Sequence, residues 1–400
     1  MHAGIRAAAI AATLPALVLA QTRPSDVTLS PASSVRIERL ASLEFPWGIA
    51  LLPDGRLLIT EKPGRLRIFA DGKLSAPLEN VPAASYRPTK SEQGGLLDVA
   101  VDPEFAQNRH VYLSYSEEAP KKSPQPDTND PRFGGFLDLT DNRLMGGAVT
   151  RARLDGSGLT DAQVIWRQEP KTVGRGHFGH RLVFGRDGTL FITSGDRMRF
   201  DPAQSLTSTV GKIVRINRDG TIPKDNPFAG KTDARSDIWS LGHRNMLAAA
   251  VHPSTGALWV VEMGPLGGDE LNLIERGGNY GWPVVSNGDN YDKSPIPDHP
   301  TRKEFKAPIR TWTPVISPSG ALFYDGTLFP WRGNLVLGGL SSRALIRLTL
   351  DGTRVIAEER IDMQRRIRDV LQAPDGALLA ITDDKNGELL RLTPASSSSP

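Results

Sequence analysis

Cysteine is absent from all 400 residues, which removes disulfides, thiolate zinc sites, iron–sulfur clusters and cysteine nucleophiles together. Stability outside the cytoplasm must then come from packing, with bound metal as the other available source. Missing too are a His-Glu-x-x-His helix and a Gly-x-Ser-x-Gly elbow; Gly230-Lys231-Thr232 has Asp225 where a phosphate loop needs its first glycine, and the Gly-x-Gly-x-x-Gly spacing of Gly174–Gly179 leads into a strand turn and not a helix. Nicotinamide, nucleotide and zinc-protease chemistry thereby lose their usual signatures. Beyond residue 20 no uninterrupted apolar run nears the roughly 18 residues of a transmembrane helix, and no membrane span is expected. Neither charge sign dominates: 48 Lys and Arg stand against 45 Asp and Glu, interleaved rather than blocked. Nucleic acid is therefore not an expected partner.

What is present begins with an export signature. Arg6 precedes an apolar stretch from Ala7 to Ala20, broken only by Thr13 and Pro15, and small Ala20 stands before Gln21. This is the charged start, apolar core and small-residue exit of a secretory signal peptide. A buried or amphipathic first helix is the alternative, since the run is too short for a bilayer. Residues 1–20 are set aside as that signal peptide, and a periplasmic or secreted location is expected.

A phrase then recurs in which an apolar residue enters a Pro/Asp/Gly turn that leads into an apolar strand. It occurs at Leu52–Gly55, Asp102–Glu104, Gly185–Gly188, His252–Gly256, Phe329–Gly333 and Pro374–Gly376. Proline presets φ, aspartate offers a side-chain acceptor and glycine tolerates positive φ, so each copy predicts a tight turn entering a strand. The copies lie roughly 45 to 85 residues apart, longer than the shortest propeller repeats, and helical periodicity is almost lacking. The expectation is an all-β fold, a six-bladed β-propeller of four-stranded antiparallel sheets. It would form one domain over residues 36–394, with a disordered tail at 395–400. The excess length must sit in excursions over one face, the longest at Glu117–Gly147 and another at Asn287–Phe305.

Four polar, glycine-flanked segments are candidates for chemistry. Gly174–Leu182 holds His177 and His180 among glycines, which permit close approach and give little cover, so His177 is a candidate catalytic imidazole. A metal pair with His180 is the other possibility, against which the glycines argue because a helix usually presents such spacing. Trp239–Asn245 carries Arg244. In Gln364–Val370, Arg366 and Arg368 alternate with Ile367, so on a strand both guanidinium groups face one side and call for an anion or paired carboxylates. Surface salt bridging is the plain alternative; with Arg244 they would make a three-arginine anion site. Glu262–Asn272, continuing to Asn279–Pro283, exposes Gly and Pro carbonyls and adds Asp269 and Glu270, hard oxygens of the calcium type, or else a structural turn.

The segments Gln93-Gly94-Gly95-Leu96-Leu97, Gly176-His177-Phe178-Gly179, Gly242-His243-Arg244-Asn245, Gly264-Pro265 with Gly268-Asp269-Glu270, Asn279-Tyr280-Gly281-Trp282-Pro283 and Arg366-Ile367-Arg368-Asp369-Val370 stand in this order. In them the chain resembles the soluble PQQ-dependent aldose sugar dehydrogenases, six-bladed propellers related to soluble glucose dehydrogenase, over nearly all of residues 36–394. The resemblance implies PQQ- and calcium-dependent oxidation of an aldose sugar at the anomeric carbon to the lactone, with electrons passed to an external acceptor, by a monomer or dimer. It implies that His177 is the base that takes the anomeric hydroxyl proton. Gln93, Arg244, Asn245, Arg366 and Arg368 would contact PQQ, whose three carboxylates suit bidentate donors. The carbonyls of Gly264 and Pro265 would ligate a calcium against PQQ, and Glu270 with the backbone of Tyr280 a second, structural calcium.

Three departures accompany the resemblance. Met246-Leu247-Ala248 stands where Pro-Gln-Gly usually follows the Arg-Asn pair. Leu340-Ser341-Ser342-Arg343 stands where glucose-specific members place a cofactor-contacting lysine, leaving that contact absent or made by Arg343, and His180 replaces a glycine. Two readings compete with the dehydrogenase: a calcium-dependent propeller hydrolase of lactonase type, and a non-catalytic propeller that binds a partner. The first needs side-chain oxygens converging on one ion in the central channel. The second leaves the arginine pair and the glycine-flanked histidine without a shared ligand.

Overall fold

A computed structural model describes residues 27–30, 32–89, 92–120, 132 and 143–395. The expected signal peptide, the tail from 396 onward and most of the Glu117–Gly147 excursion lie outside the described residues. Each turn phrase closes the hairpin between the first and second strands of one sheet. The inner strands are Pro46–Leu51 in blade 1, Leu96–Val101 in blade 2, Gly179–Phe184 in blade 3, Asn245–Val251 in blade 4, Pro318–Phe323 in blade 5 and Ile367–Gln372 in blade 6. They pack side by side in chain order and blade 6 returns to blade 1, which makes the fold a six-bladed β-propeller. The ring is clasped by Val35–Leu43, which pairs antiparallel with Gly387–Pro394 as the outermost strand of blade 6.

Burial follows position in the blade. Second strands such as Leu57–Glu61 and Leu190–Ser194 are buried along their whole length because neighbouring blades cover both faces. The outer strand Arg354–Asp362 alternates buried and exposed residues at both its ends, the period-2 pattern of a half-covered sheet, broken at the buried pair Glu358 and Glu359. Two blades depart from the expected four strands. Thr172–Val173 adds to Leu144–Asp155 in blade 2, and Thr28–Leu29 pairs parallel with Ala357 and Glu358 at the rim of blade 5.

The topology aims the candidate residues at one end. Since all six phrases turn at the opposite end, the starts of the inner strands and the loops joining second to third strands share one mouth. Gln93, His177, Arg244 and Arg366 all lie just ahead of an inner strand, and Asn245 and Arg368 lie at the start of one.

Below that mouth the inner strands share a buried ionic hub. Arg181 of blade 3 donates through NH1 to Asp98 of blade 2 at 3.2 Å and to Asp369 of blade 6 at 2.8 Å, through Nε to the Leu247 carbonyl of blade 4 at 2.7 Å, and through NH2 to the Arg368 carbonyl at 2.9 Å. The Ile49 N–H of blade 1 donates to Asp369 at 3.2 Å, and Ser319 Oγ of blade 5 donates to the Arg368 carbonyl at 2.6 Å. All six inner strands thus meet in one hydrogen-bonded group.

Candidate active site

His177 sits two residues ahead of the blade 3 inner strand with φ of +50°, a left-handed conformation that costs a non-glycine residue energy. His180, Arg197, Met198 and Phe200 near it also have positive φ, so strained backbone is concentrated here. Two contacts hold it. The His177 N–H donates to Gln93 Oε1 at 2.8 Å. Buried Arg197 brackets the approach by donating through Nε to the Gly176 carbonyl and through NH1 to the Met145 carbonyl, each at 2.9 Å, and through NH2 to the Gly174 carbonyl, with its guanidinium 3.8 Å from the Phe178 ring centroid.

The imidazole is oriented by a residue that sequence reasoning did not single out. His177 Nδ1 lies 2.7 Å from Asp196 Oδ1, which also accepts the Met198 N–H at 2.9 Å, while Asp196 Oδ2 accepts Trp282 Nε1–H at 2.7 Å. Burial alone would raise Asp196, but His177, Arg244 and the Met198 N–H together hold it below the usual carboxylate range. Burial pushes His177 below its ordinary value, outweighing the attraction of Asp196, with Arg244 and Arg197 acting in the same direction as burial. An ionised Asp196 facing a neutral imidazole requires the proton on Nδ1 and leaves the lone pair on Nε2. Nε2 makes no hydrogen bond to any described residue. That is the geometry of a base awaiting a proton.

His180 is not its partner. The ring is fully buried between Trp166 and Phe178, with centroids 5.8 and 6.4 Å away, and burial presses its pKa down to about 3. It fills the space left by Gly147, where a Cβ would come within 1.5 Å of Nε2. The metal-pair alternative therefore fails, and His180 packs behind the site instead of lining it.

The other candidates divide into two groups. Arg244, buried, donates through NH1 to the Met263 and Gly264 carbonyls at 3.0 and 2.8 Å and through NH2 to Tyr291 Oη at 3.0 Å. Tyr291 belongs to the second excursion, which thus folds over this mouth. Arg244 Nε and Asn245 Oδ1 are buried without a hydrogen-bond partner among the described residues. Arg366 and Arg368 face one side as expected, and the anion between them is a residue of the chain. Arg366 NH2 donates to Asp383 Oδ2 at 2.8 Å, Arg368 NH2 donates to Oδ1 at 2.6 Å, and Asp383 is held far below the usual carboxylate range. The pair keeps one net positive charge. No three-arginine cluster forms, because Arg244 is turned to the Gly264 loop. Arg343 donates to the Gln364 carbonyl and lines the same cavity as Arg366 and Asp383.

The candidate metal residues also separate. Asp269 is spent on the backbone: Oδ1 accepts the Gly264 N–H at 2.9 Å and Oδ2 the Ile316 and Ser317 N–H groups at 2.8 and 2.7 Å, so it shapes the Gly264–Pro265 turn and is no free ligand. Glu270 is buried, and burial first, then neighbouring Glu262, drives its carboxyl well above the usual range. His299 Nδ1 lies 3.6 Å from Glu270 Oε1, and His299 Nε2 lies 3.2 Å from the Tyr280 carbonyl. Glu262, Glu270, Gly264, Gly268 and Tyr280 line a space of about 10 Å³, room for one water-sized body. Glu262 is engaged by His243, the Arg244 N–H and Asn272, so Glu270 is the carboxyl of this space whose charged form a cation would favour, and the unpartnered Arg244 Nε and Asn245 Oδ1 fit a polar ligand beside it. Among the described residues no three His, Cys, Asp or Glu side chains are grouped to hold a metal, so such a cation would draw on backbone carbonyls.

Residues 43–391 match the Glucose / Sorbosone dehydrogenase family. The chain is 40% identical over 374 residues to aldose sugar dehydrogenase YliI of Escherichia coli (strain K12), covering 90% of this chain and 94% of the relative. It is 28% identical over 459 residues to quinoprotein glucose dehydrogenase B of Acinetobacter calcoaceticus, covering 91% and 90%. Among solved structures, the PQQ-bound aldose sugar dehydrogenase of Streptomyces coelicolor superposes with a TM-score of 0.70 at 26% identity, covering 91% of this chain and 99% of that one.

Proposed function

The chain belongs to the Glucose / Sorbosone dehydrogenase family, and we propose that it is an exported PQQ- and calcium-dependent aldose sugar dehydrogenase that oxidises the anomeric carbon to the lactone and passes electrons to an external acceptor. The observation that carries this reading is the Trp282–Asp196–His177 relay, which leaves Nε2 as an unprotonated, unengaged acceptor at the mouth. PQQ, when bound, would supply a carbonyl as two-electron hydride acceptor, and calcium would supply Lewis acidity.

The chain's own residues do the rest. His177 Nε2 accepts the anomeric hydroxyl proton as C1 becomes a carbonyl carbon, and Asp196 stabilises the imidazolium that results. Gln93 fixes the His177 backbone. Arg366 and Arg368 present the positive charge left over from Asp383 to cofactor carboxylates, and Arg244 and Asn245 offer their unpartnered polar atoms. Carbonyls of Gly264 and Pro265 would hold the calcium against PQQ, while Glu270 and the Tyr280 carbonyl would hold the second. The competing hydrolase has less support, because the channel carboxylates Asp98 and Asp369 converge on Arg181 and no three His, Cys, Asp or Glu side chains are grouped for an ion among the described residues.

Titrating calcium-loaded protein with PQQ should give a saturable absorbance change, and adding an aldose with a redox dye should then reduce the dye, with no activity when a nicotinamide replaces PQQ. Absence of both PQQ binding and sugar-dependent dye reduction overturns the assignment.

Removing calcium should lower both turnover and thermal stability. A ligand bound only by the folded state adds about 2.7 kcal/mol at a hundredfold excess over its Kd, and without it burial and the neighbouring Glu262 disfavour the charged form of Glu270. Unfolding scans and dye assays before and after chelation, with metal content verified, check this. A melting temperature and activity both unchanged would remove the cation from Glu270.

A further inference from the structure

Lys62 lies in the loop between Leu57–Glu61 and Arg65–Ala70 of blade 1, at the same mouth as His177. Its side chain is buried, Nζ donates to the Glu92 carbonyl at 2.8 Å, and the ring centroids of Phe45 and Tyr86 each lie 5.7 Å from Nζ. An ammonium has three N–H donors, and among the described residues only the Glu92 carbonyl accepts one. The loop is sewn across the seam to blade 6: the Lys62 N–H donates to the Phe45 carbonyl and the Phe45 N–H to the Asp384 carbonyl, each at 2.9 Å. Asp384 adjoins Asp383, the carboxylate between Arg366 and Arg368. Glu92 adjoins Gln93, whose side chain holds the His177 N–H.

The charged groups facing Lys62 are therefore Arg368, Asp383, Glu92 and Arg366, with the Tyr86 phenol alongside. Burial raises Glu92, with the Gly94 N–H, Arg143 and Lys62 opposing, and the cluster sets the three cations Lys62, Arg366 and Arg368 against the two carboxylates Asp383 and Glu92. Taking a third cation out of water beside two others is costly unless an anion comes to it. We propose that Lys62 is a third cationic donor, with Arg366 and Arg368, for a carboxylate of the bound quinone cofactor; this rests on the PQQ reading above. Burial first, then Arg368, presses the empty protein's Lys62 down to about 8. A carboxylate at Nζ would hold the proton in place, so cofactor binding takes up protons near that pH.

The test is calorimetric titration of PQQ into calcium-loaded apoprotein at pH 8 in two buffers of different ionisation enthalpy, using wild type, Lys62→Met and Lys62→Arg, with Arg366→Ala as a reference for a lost charge. We expect Lys62→Met to weaken PQQ by about tenfold or more, the loss typical of one charge-assisted bond, and Lys62→Arg to bind within a few-fold of wild type. Wild type should take up about half a proton more than either variant, since a group titrating near 8 is half neutral there. Unchanged affinity in Lys62→Met overturns the proposal. Should Lys62→Met fail to fold, equal proton uptake by wild type and Lys62→Arg overturns it. No PQQ binding by wild type overturns the cofactor reading, and this proposal with it.

Discussion

Replacing His177 with alanine is expected to cut turnover by about 10²–10⁴-fold, the usual contribution of a positioned general base, while PQQ and calcium stay bound. The side chain's one polar contact is with Asp196, which keeps the Met198 and Trp282 N–H donors when the imidazole is removed, and its Nε2 engages no described residue. Asp196→Asn should lose nearly as much, because an amide N–H offered to Nδ1 moves the imidazole proton to Nε2 and abolishes the acceptor. In wild type the base is the neutral imidazole, and burial lowers its pKa from the ordinary 6.5. The rate should therefore hold through neutrality and fall only as pH drops through a value below 6.5. Stopped-flow reduction of bound PQQ by sugar, with cofactor content measured by absorbance, reads the step directly. Near-normal turnover in cofactor-loaded His177→Ala would place the base elsewhere. His180→Gly is the contrast: with both ring nitrogens buried behind the site, its loss should lower stability through the cavity it leaves and spare substrate preference.

The second large effect is on stability. Arg181→Met should destabilise the propeller by about 3–5 kcal/mol, the cost of stripping one partner from a buried ionic group, because Asp98 and Asp369 would remain in the channel without their shared cation. Both carboxyls already sit above the usual range through burial, Asp98 at about 6, and Arg181 is the largest opposing influence on each. The sign of the pH dependence follows. Without Arg181 both carboxyls rise further in the folded state, so protonating them relieves the variant, and its deficit against wild type shrinks as pH falls through their folded-state values. Denaturant titrations at pH 7.5 and pH 5 measure the deficit at each. Wild-type stability at pH 7.5 would show that the hub does not hold the blades together.

The departures from the sequence expectations share one cause, which is distance along the chain. Arg366 and Arg368 were legible as a same-side pair because alternation on a strand is local, but the carboxylate between them, Asp383, lies 15 residues from Arg368 on the next strand's far side. His177 stood out by its flanking glycines, whereas its orienting Asp196 is 19 residues away and Trp282 is 86 residues from Asp196. Trp282 was visible as part of a motif without any sign of what its indole N–H would meet. Asp269 and Glu270 looked alike as neighbouring hard oxygens. A strand sends successive side chains to opposite faces, so one staples the Gly264 turn and the other enters the small buried space.

By itself the sequence determined the number of blades and their mouth. Pro, Asp and Gly act on φ and on hydrogen bonds within a few residues, six such turns imply six hairpins, and hairpins all turning at one end leave the glycine-flanked histidine and the arginine pair at the other. Only the tertiary structure decided the charge states. These depend on burial and on partners brought together by ring closure: Asp196 kept ionised against a neutral His177, Glu270 driven upward beside Glu262, Lys62 set at the seam of the first and last blades next to Arg368. Desolvation and Coulomb energies are functions of separation in space, and no spacing in the sequence encodes them.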